Sequence, residues 1–125
     1  MKAKLYAVLL AIAACGSGKA TEVEWEWRHR AFSGVYGIYG GDLGDPVPPK
    51  QRDKKIMFNL RGAAAKDLFD AIGPDVKDEC TAADKIRVRK RDGDNLVCMR
   101  TNKAEYSCSF GFDLTTGKSI GGSIC

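Results

Sequence analysis

The 125-residue chain reads as an α+β domain, a curved antiparallel β-sheet with one helix packed on its apolar face and two disulfides closing it. Three observations predict this class. Apolar and polar residues alternate at period two in several separate stretches, one run of good helix formers stands among them, and four of the five cysteines fall in the C-terminal half.

Taken in order, Val23, Trp25 and Trp27 alternate with Glu22, Glu24, Glu26 and Arg28, which predicts a first strand with one buried face. The stretch from Phe32 to Pro49 holds five glycines, two tyrosines and three prolines, and reads as strand around Val35 to Tyr39 followed by a long shaped loop. Ile56, Phe58 and Leu60 alternate with Lys55, Met57, Asn59 and Arg61 to give the next strand. Ala63 to Ile72 is helical by composition, with Ala65, Leu68, Phe69 and Ile72 on one face, and Gly73-Pro74 ends it. Ile86 and Val88 then alternate with Arg87, Arg89 and Arg91. Asp92-Gly93-Asp94-Asn95 turns the chain into Leu96 to Arg100. Tyr106, Cys108, Phe110, Phe112 and Leu114 face one way against Glu105, Ser107, Ser109, Gly111 and Asp113, the pattern of a central strand. A turn at Thr115 to Lys118 returns the chain through Ser119 to Cys125. The C-terminal half is thus expected to be a meander of four strands.

Hairpin geometry leaves two disulfide pairings open. A two-residue turn at Thr116-Gly117 sets Cys108 opposite Cys125, and Cys80 then joins Cys98. A three-residue turn after Arg100 pairs Thr101 with Glu105 and sets Cys98 opposite Cys108, which joins Cys80 to Cys125.

The start of the chain carries an address. Lys2 and Lys4 precede an apolar run from Leu5 to Ala14, too short to cross a bilayer as a stable helix and laid out as a secretory leader. Ile12-Ala13-Ala14-Cys15 resembles the bacterial lipobox, an aliphatic residue and two small ones ahead of the cysteine that is lipidated. The resemblance implies a signal peptide over residues 1–14, acylation at Cys15, and a membrane anchor. With Gly16 rather than aspartate after the cysteine, it implies the outer membrane, facing the periplasm. Residues 15–21 read as a lipidated tether and residues 22–125 as a single disulfide-stapled domain. Cysteine parity agrees, because setting Cys15 aside leaves Cys80, Cys98, Cys108 and Cys125 for two disulfides in an oxidising compartment.

Charge narrows the function classes. The chain carries a formal +4, but without Lys2 and Lys4 only 18 basic residues face 16 acidic ones, which argues against a nucleic-acid partner. No catalytic constellation stands out: His29 is the lone histidine, no GxSxG surrounds a serine, and no CxxC offers a low-pKa thiol. Asp42 and Asp45 lack the further oxygen ligands of a calcium loop, and neither a metal nor another cofactor is expected. A non-catalytic binding module is the leading expectation, with Tyr36, Tyr39 and the loop containing Asp42 and Asp45 as the probe for a protein partner in the envelope. An inhibitor or immunity protein against a cell-wall enzyme fits that description. The alternative is an outer-membrane maintenance or sensing role in which Arg87, Arg89 and Arg91, a cationic row about 13 Å long, bind anionic lipid or glycan.

Overall fold

The structure, a computed structural model of the chain, describes residues 16–18, 25–82 and 84–125. The lipobox residues Ile12 to Cys15, and Glu22 to Glu24 of the predicted first strand, lie outside them. The described chain runs β1 (Ser33–Asp42), β2 (Asp45–Val47), β3 (Lys55–Arg61), α1 (Gly62–Ala71), β4 (Arg87–Arg91), β5 (Leu96–Arg100), β6 (Tyr106–Asp113) and β7 (Ser119–Ile120). All seven strands join one antiparallel sheet in the order β2-β1-β3-β6-β5-β4, with β7 beside β6.

Mostly antiparallel sheet, one helix and two disulfides is therefore the architecture of the described residues, but the sheet is larger than a four-strand meander. β6 is its centre, as the alternation predicts. β3 lies along one edge of β6 over Ser107 to Asp113, and the other edge is shared by β5 and the two-residue β7. β4, β5, β6 and β7 pair in chain order, but β7 takes the same edge of β6 as β5, so the four do not lie side by side.

Two local expectations fail for identifiable reasons. Residues 25–32 form no strand, and Trp25 and Trp27 are 79% and 65% exposed. The side chains here meet one another or α1: Arg28 pairs with Glu26, the Trp27 and His29 rings meet edge to face at 4.2 Å, and Arg30 reaches Asp67 of α1 at 3.7 Å. Among the described residues no neighbouring strand gives this pattern a face to bury. The glycine-rich stretch is strand over Val35 to Tyr39 as expected, but no long loop follows: β1 runs on to Asp42 as the longest strand of the sheet, and a tight turn at Leu43-Gly44 joins it to β2. Gly34 helps explain this, because a Cβ there would lie 2.4 Å from the Asn59 carbonyl oxygen. The missing side chain lets β1 and β3 come together.

The turns settle the disulfides. Thr101 N–H donates to the Glu105 carbonyl at 2.9 Å, the three-residue connection that sets Cys98 directly opposite Cys108, and these two are bonded with Cα atoms 4.0 Å apart. Cys80 is bonded to Cys125. The last hairpin is longer than expected. The Asp113 carboxylate accepts from Thr115 N–H and the Asp113 carbonyl from Gly117 N–H, so the turn spans residues 114–117 and Gly111 faces Ile120. That register takes Cys125 out of reach of Cys108, and past Ile120 the chain leaves the ladder and brings Cys125 beside Val97 and Met99, on the opposite face of the sheet.

Strand register defines two faces. On the first, Leu60, Cys108, Cys98 and Arg89 form one row across four strands, and α1 lies over it. Ala65, Phe69, Ile72, Cys98 and Cys108 make the core there, with Ala65, Cys98 and Cys108 fully buried and Leu60, Leu68, Leu96 and Tyr106 packed around them. On the second face, Val88 and Val97 are buried. Val76 pairs with Val88, and the last residues of the chain are tied to Cys80 by the second disulfide. Gly122 lies flat against β6: a Cβ there would come within 2.6 Å of three backbone atoms of Phe110.

Candidate interaction surface

Helix α1 has only ten residues and covers one end of the first face. The strands run on beyond it. Register places Tyr36, Phe58 and Phe110 in one row across β1, β3 and β6, and Ile38, Ile56 and Phe112 in the next. Ring centroids lie 6.3 Å apart from Tyr36 to Phe58, 5.2 Å from Phe58 to Phe110, where the rings stack, and 6.2 Å from Phe110 to Phe112. Such a ladder of aromatic pairs ordinarily lies under a covering layer. Here Tyr36 is 68% exposed, Ile38 49% and Phe112 39%, while Phe58, Phe110 and Ile56 are half-buried between them. Six apolar side chains on three adjacent strands make a contiguous flat patch, which marks an interaction site more strongly than scattered apolar residues do.

The tyrosines of β1 part company. Tyr36 stands on the open face, whereas Tyr39 has the opposite parity and is 7% exposed. Burial pushes the Tyr39 hydroxyl above its usual pKa, against the pull of the Lys55 ammonium. Asp42 and Asp45 face each other across the β1–β2 turn. Among the described residues no three metal-ligating side chains gather. The group that organises this end is Asp53, invisible to the sequence reading. Its carboxylate accepts from Lys55 at 2.5 Å and from Gly41 N–H at 2.8 Å, which holds it below the usual carboxylate range, and the Lys55 pKa is raised in turn.

Arg87, Arg89 and Arg91 share one side of β4, as the alternation predicts, and that side is the face of α1: Arg87 and Arg91 stay exposed and Arg89 is half-buried, while Val88 between them points to the other side. Arg87 Nε donates to Asp75 at 2.7 Å and Arg89 Nε at 2.8 Å. Arg89 also donates to the Phe69 carbonyl at 2.8 Å, and Arg91 to the Gly73 carbonyl. The Arg89 and Arg87 guanidiniums lie 4.2 and 5.4 Å from the centroid of the Phe69 ring. Together they cap the C-terminal carbonyls of α1, where positive charge is favoured, and roof its buried phenylalanine. Hydrogen bonds first from Arg87 and then from Arg89 lower the Asp75 carboxyl to about 2. Asp75 was missed because it sits between a proline and a valine, outside any periodic pattern. Lys90, on the other face, bridges Asp78 and Asp94, each at 3.0 Å.

A cleft of about 730 Å³ opens between the start of α1 and the β5–β6 turn, lined among others by Asn59, Arg61, Lys66 and Tyr106. Its polar groups engage one another or their neighbours: Asn59 donates to Ser109 and accepts from Arg61, Lys66 pairs with Asp70, and the Tyr106 hydroxyl accepts from Arg100. His29 touches Trp27 and is exposed. Comparison with protein-family models, curated protein sequences and solved structures returned no match. The open aromatic face is thus the most distinctive surface of the described chain.

Proposed function

We propose that this protein is a lipid-anchored envelope protein of a bacterium that acts as a non-catalytic binding module, with the face formed by Tyr36, Ile38, Phe58, Phe110 and Phe112 as its docking surface for a protein partner. An inhibitor or immunity role against a cell-wall enzyme is the form of this function that we favour. The observation that carries the reading is the uncovered aromatic ladder itself. Aromatic side chains give large contact area at small entropic cost, and clusters of them supply most of the affinity in protein interfaces. Lipid acylation at Cys15 accounts for where such a module works: two or more acyl chains hold a protein at a membrane, and the tether keeps its face within reach of envelope partners. A protein partner is favoured over anionic lipid or glycan because Arg87, Arg89 and Arg91 are already engaged by Asp75 and by the carbonyls of Phe69 and Gly73.

Photo-crosslinking in the native envelope tests this. A crosslinking amino acid at position 112 is expected to trap one envelope protein, while the same probe at Lys103, on the exposed β5–β6 turn, traps none. Equal labelling from both positions, or labelling from neither, would count against the face. An unacylated amino terminus on the native protein would count against the anchor.

A further inference from the structure

We propose that the outer edge of β1 is a homodimer interface, through which two copies join into one continuous antiparallel sheet. This goes beyond the docking face, and neither requires the other. β3 pairs with β1 from Ser33 to Tyr39, but β2 takes the opposite edge only at Gly40 to Asp42. Among the described residues nothing pairs with the outer edge of Ser33 to Tyr39, a stretch of about 23 Å at ~3.3 Å per residue. Proteins ordinarily guard so long an edge with charges, proline or a covering segment. The other end of the sheet is guarded in that way: β4 reads Arg-Val-Arg-Lys-Arg, and Val76 bridges to it. Among the described residues β1 has no such guard. From Ala31 to Gly41 there is no charged residue, in a chain that is 29% charged. Val35, on one face, is 60% exposed, and Tyr36 and Ile38, on the other, are open as well.

The identity of the occupant follows from the edge's own sequence. Two copies related by a twofold axis at Tyr36 set Tyr36 opposite Tyr36, Val35 opposite Gly37 of the second copy, and Gly34 opposite its Ile38. Both exposed aliphatic residues then meet a glycine. An uncharged edge carries no repulsion toward its own copy. Twofold pairing consumes the edge once and closes, whereas addition to β4 of another molecule would start a fibre and is opposed by its arginines. Opposed residues of antiparallel strands share a face. The row Phe110, Phe58, Tyr36 would therefore run on into the same three rings of the second copy.

Sedimentation equilibrium of the full oxidised chain, in density-matched detergent, is the test. The wild-type protein is expected to dimerise reversibly, and Val35→Lys to weaken the dimer at least tenfold while keeping both disulfides and the near-ultraviolet dichroism of the native fold. Tyr36→Cys is expected to form a disulfide-linked dimer under mild oxidation. A wild-type chain that stays monomeric at every concentration, a dimer indifferent to Val35→Lys, or a Tyr36→Cys variant that yields no linked dimer would overturn the assignment. So would a monomer that captures a strand of another protein through this edge. Val35 and Phe112 lie on opposite faces. Loss of the dimer with partner crosslinking from position 112 intact would separate the two interfaces.

Discussion

Removal of the Cys80–Cys125 bond by Cys80→Ala with Cys125→Ala is the most informative stability perturbation, because the bond closes four of the seven strands into one loop. The two cysteines are separated by 45 residues, which include β4, β5, β6 and β7. In the chain-entropy account, a crosslink over that span withdraws about 4 kcal/mol of conformational freedom from the unfolded chain at 25 °C, against about 2.7 kcal/mol for a loop of ten such as Cys98–Cys108. Cys80 and Cys125 are exposed, so their replacement adds little packing loss. Cys98 and Cys108 are fully buried between helix and sheet, and emptying that site adds roughly 2 kcal/mol to their entropic term. Urea unfolding with linear extrapolation should therefore show the Cys80/Cys125 variant about 4 kcal/mol less stable, with a larger m value because its unfolded state is less confined. For a domain whose total stability is of order 5 to 15 kcal/mol, that loss is a large fraction. A loss under about 1 kcal/mol with an unchanged m value would refute the reasoning. The C-terminal segment would then be held against β6 by contacts other than the crosslink.

Phe69→Ala removes the ring under Arg87 and Arg89 and beside Tyr106, and is expected to cost about 3 to 5 kcal/mol in the same assay. Asp75→Asn tests the arginine clamp through pH. The Asp75 carboxyl falls from 3.8 to about 2 on folding. Its stabilisation is therefore complete above pH 3.8 and is lost as pH drops from 3.8 toward 2, so the variant should show a flatter decline across that window than the wild type. Ala104 holds a φ of +59° in the β5–β6 turn, and Ala104→Gly is expected to raise stability by about 0.5 to 1 kcal/mol, read as an upward shift in thermal midpoint.

Legibility followed how local each signal was. Strands β3, β4 and β6 and helix α1 were readable because each carries its own alternation or helical stripe, β5 was readable from the turn at Asp92 to Asn95 that leads into it, and the three-residue turn after Arg100 made Cys98–Cys108 one of two open pairings. What escaped was tertiary. Trp25 and Trp27 alternate as a strand does, but a strand also needs a neighbour, and period alone is silent about neighbours. The glycines of β1 looked like loop chemistry because glycine serves turns and close strand contacts alike; only the approach of Gly34 to Asn59 tells which. Alternation in β4 sets its arginines on one side but is silent on which face of the sheet that is; it is the face of α1, whose last carbonyls and Phe69 ring the guanidinium groups serve. Tyr36 was singled out with Tyr39, yet strand parity separates them, and the rings that stand with Tyr36 come from Phe58 and Phe110, 22 and 74 residues further along.

Residue-resolved hydroxyl-radical labelling at Phe112, far from the β1 edge, tests the docking face most directly. The account predicts that Phe112 is strongly labelled in the purified protein and protected in the intact native envelope, with labelling restored once envelope proteins are stripped away. Equal labelling of Phe112 in both settings would mean that the aromatic face meets no partner, and would contradict the account.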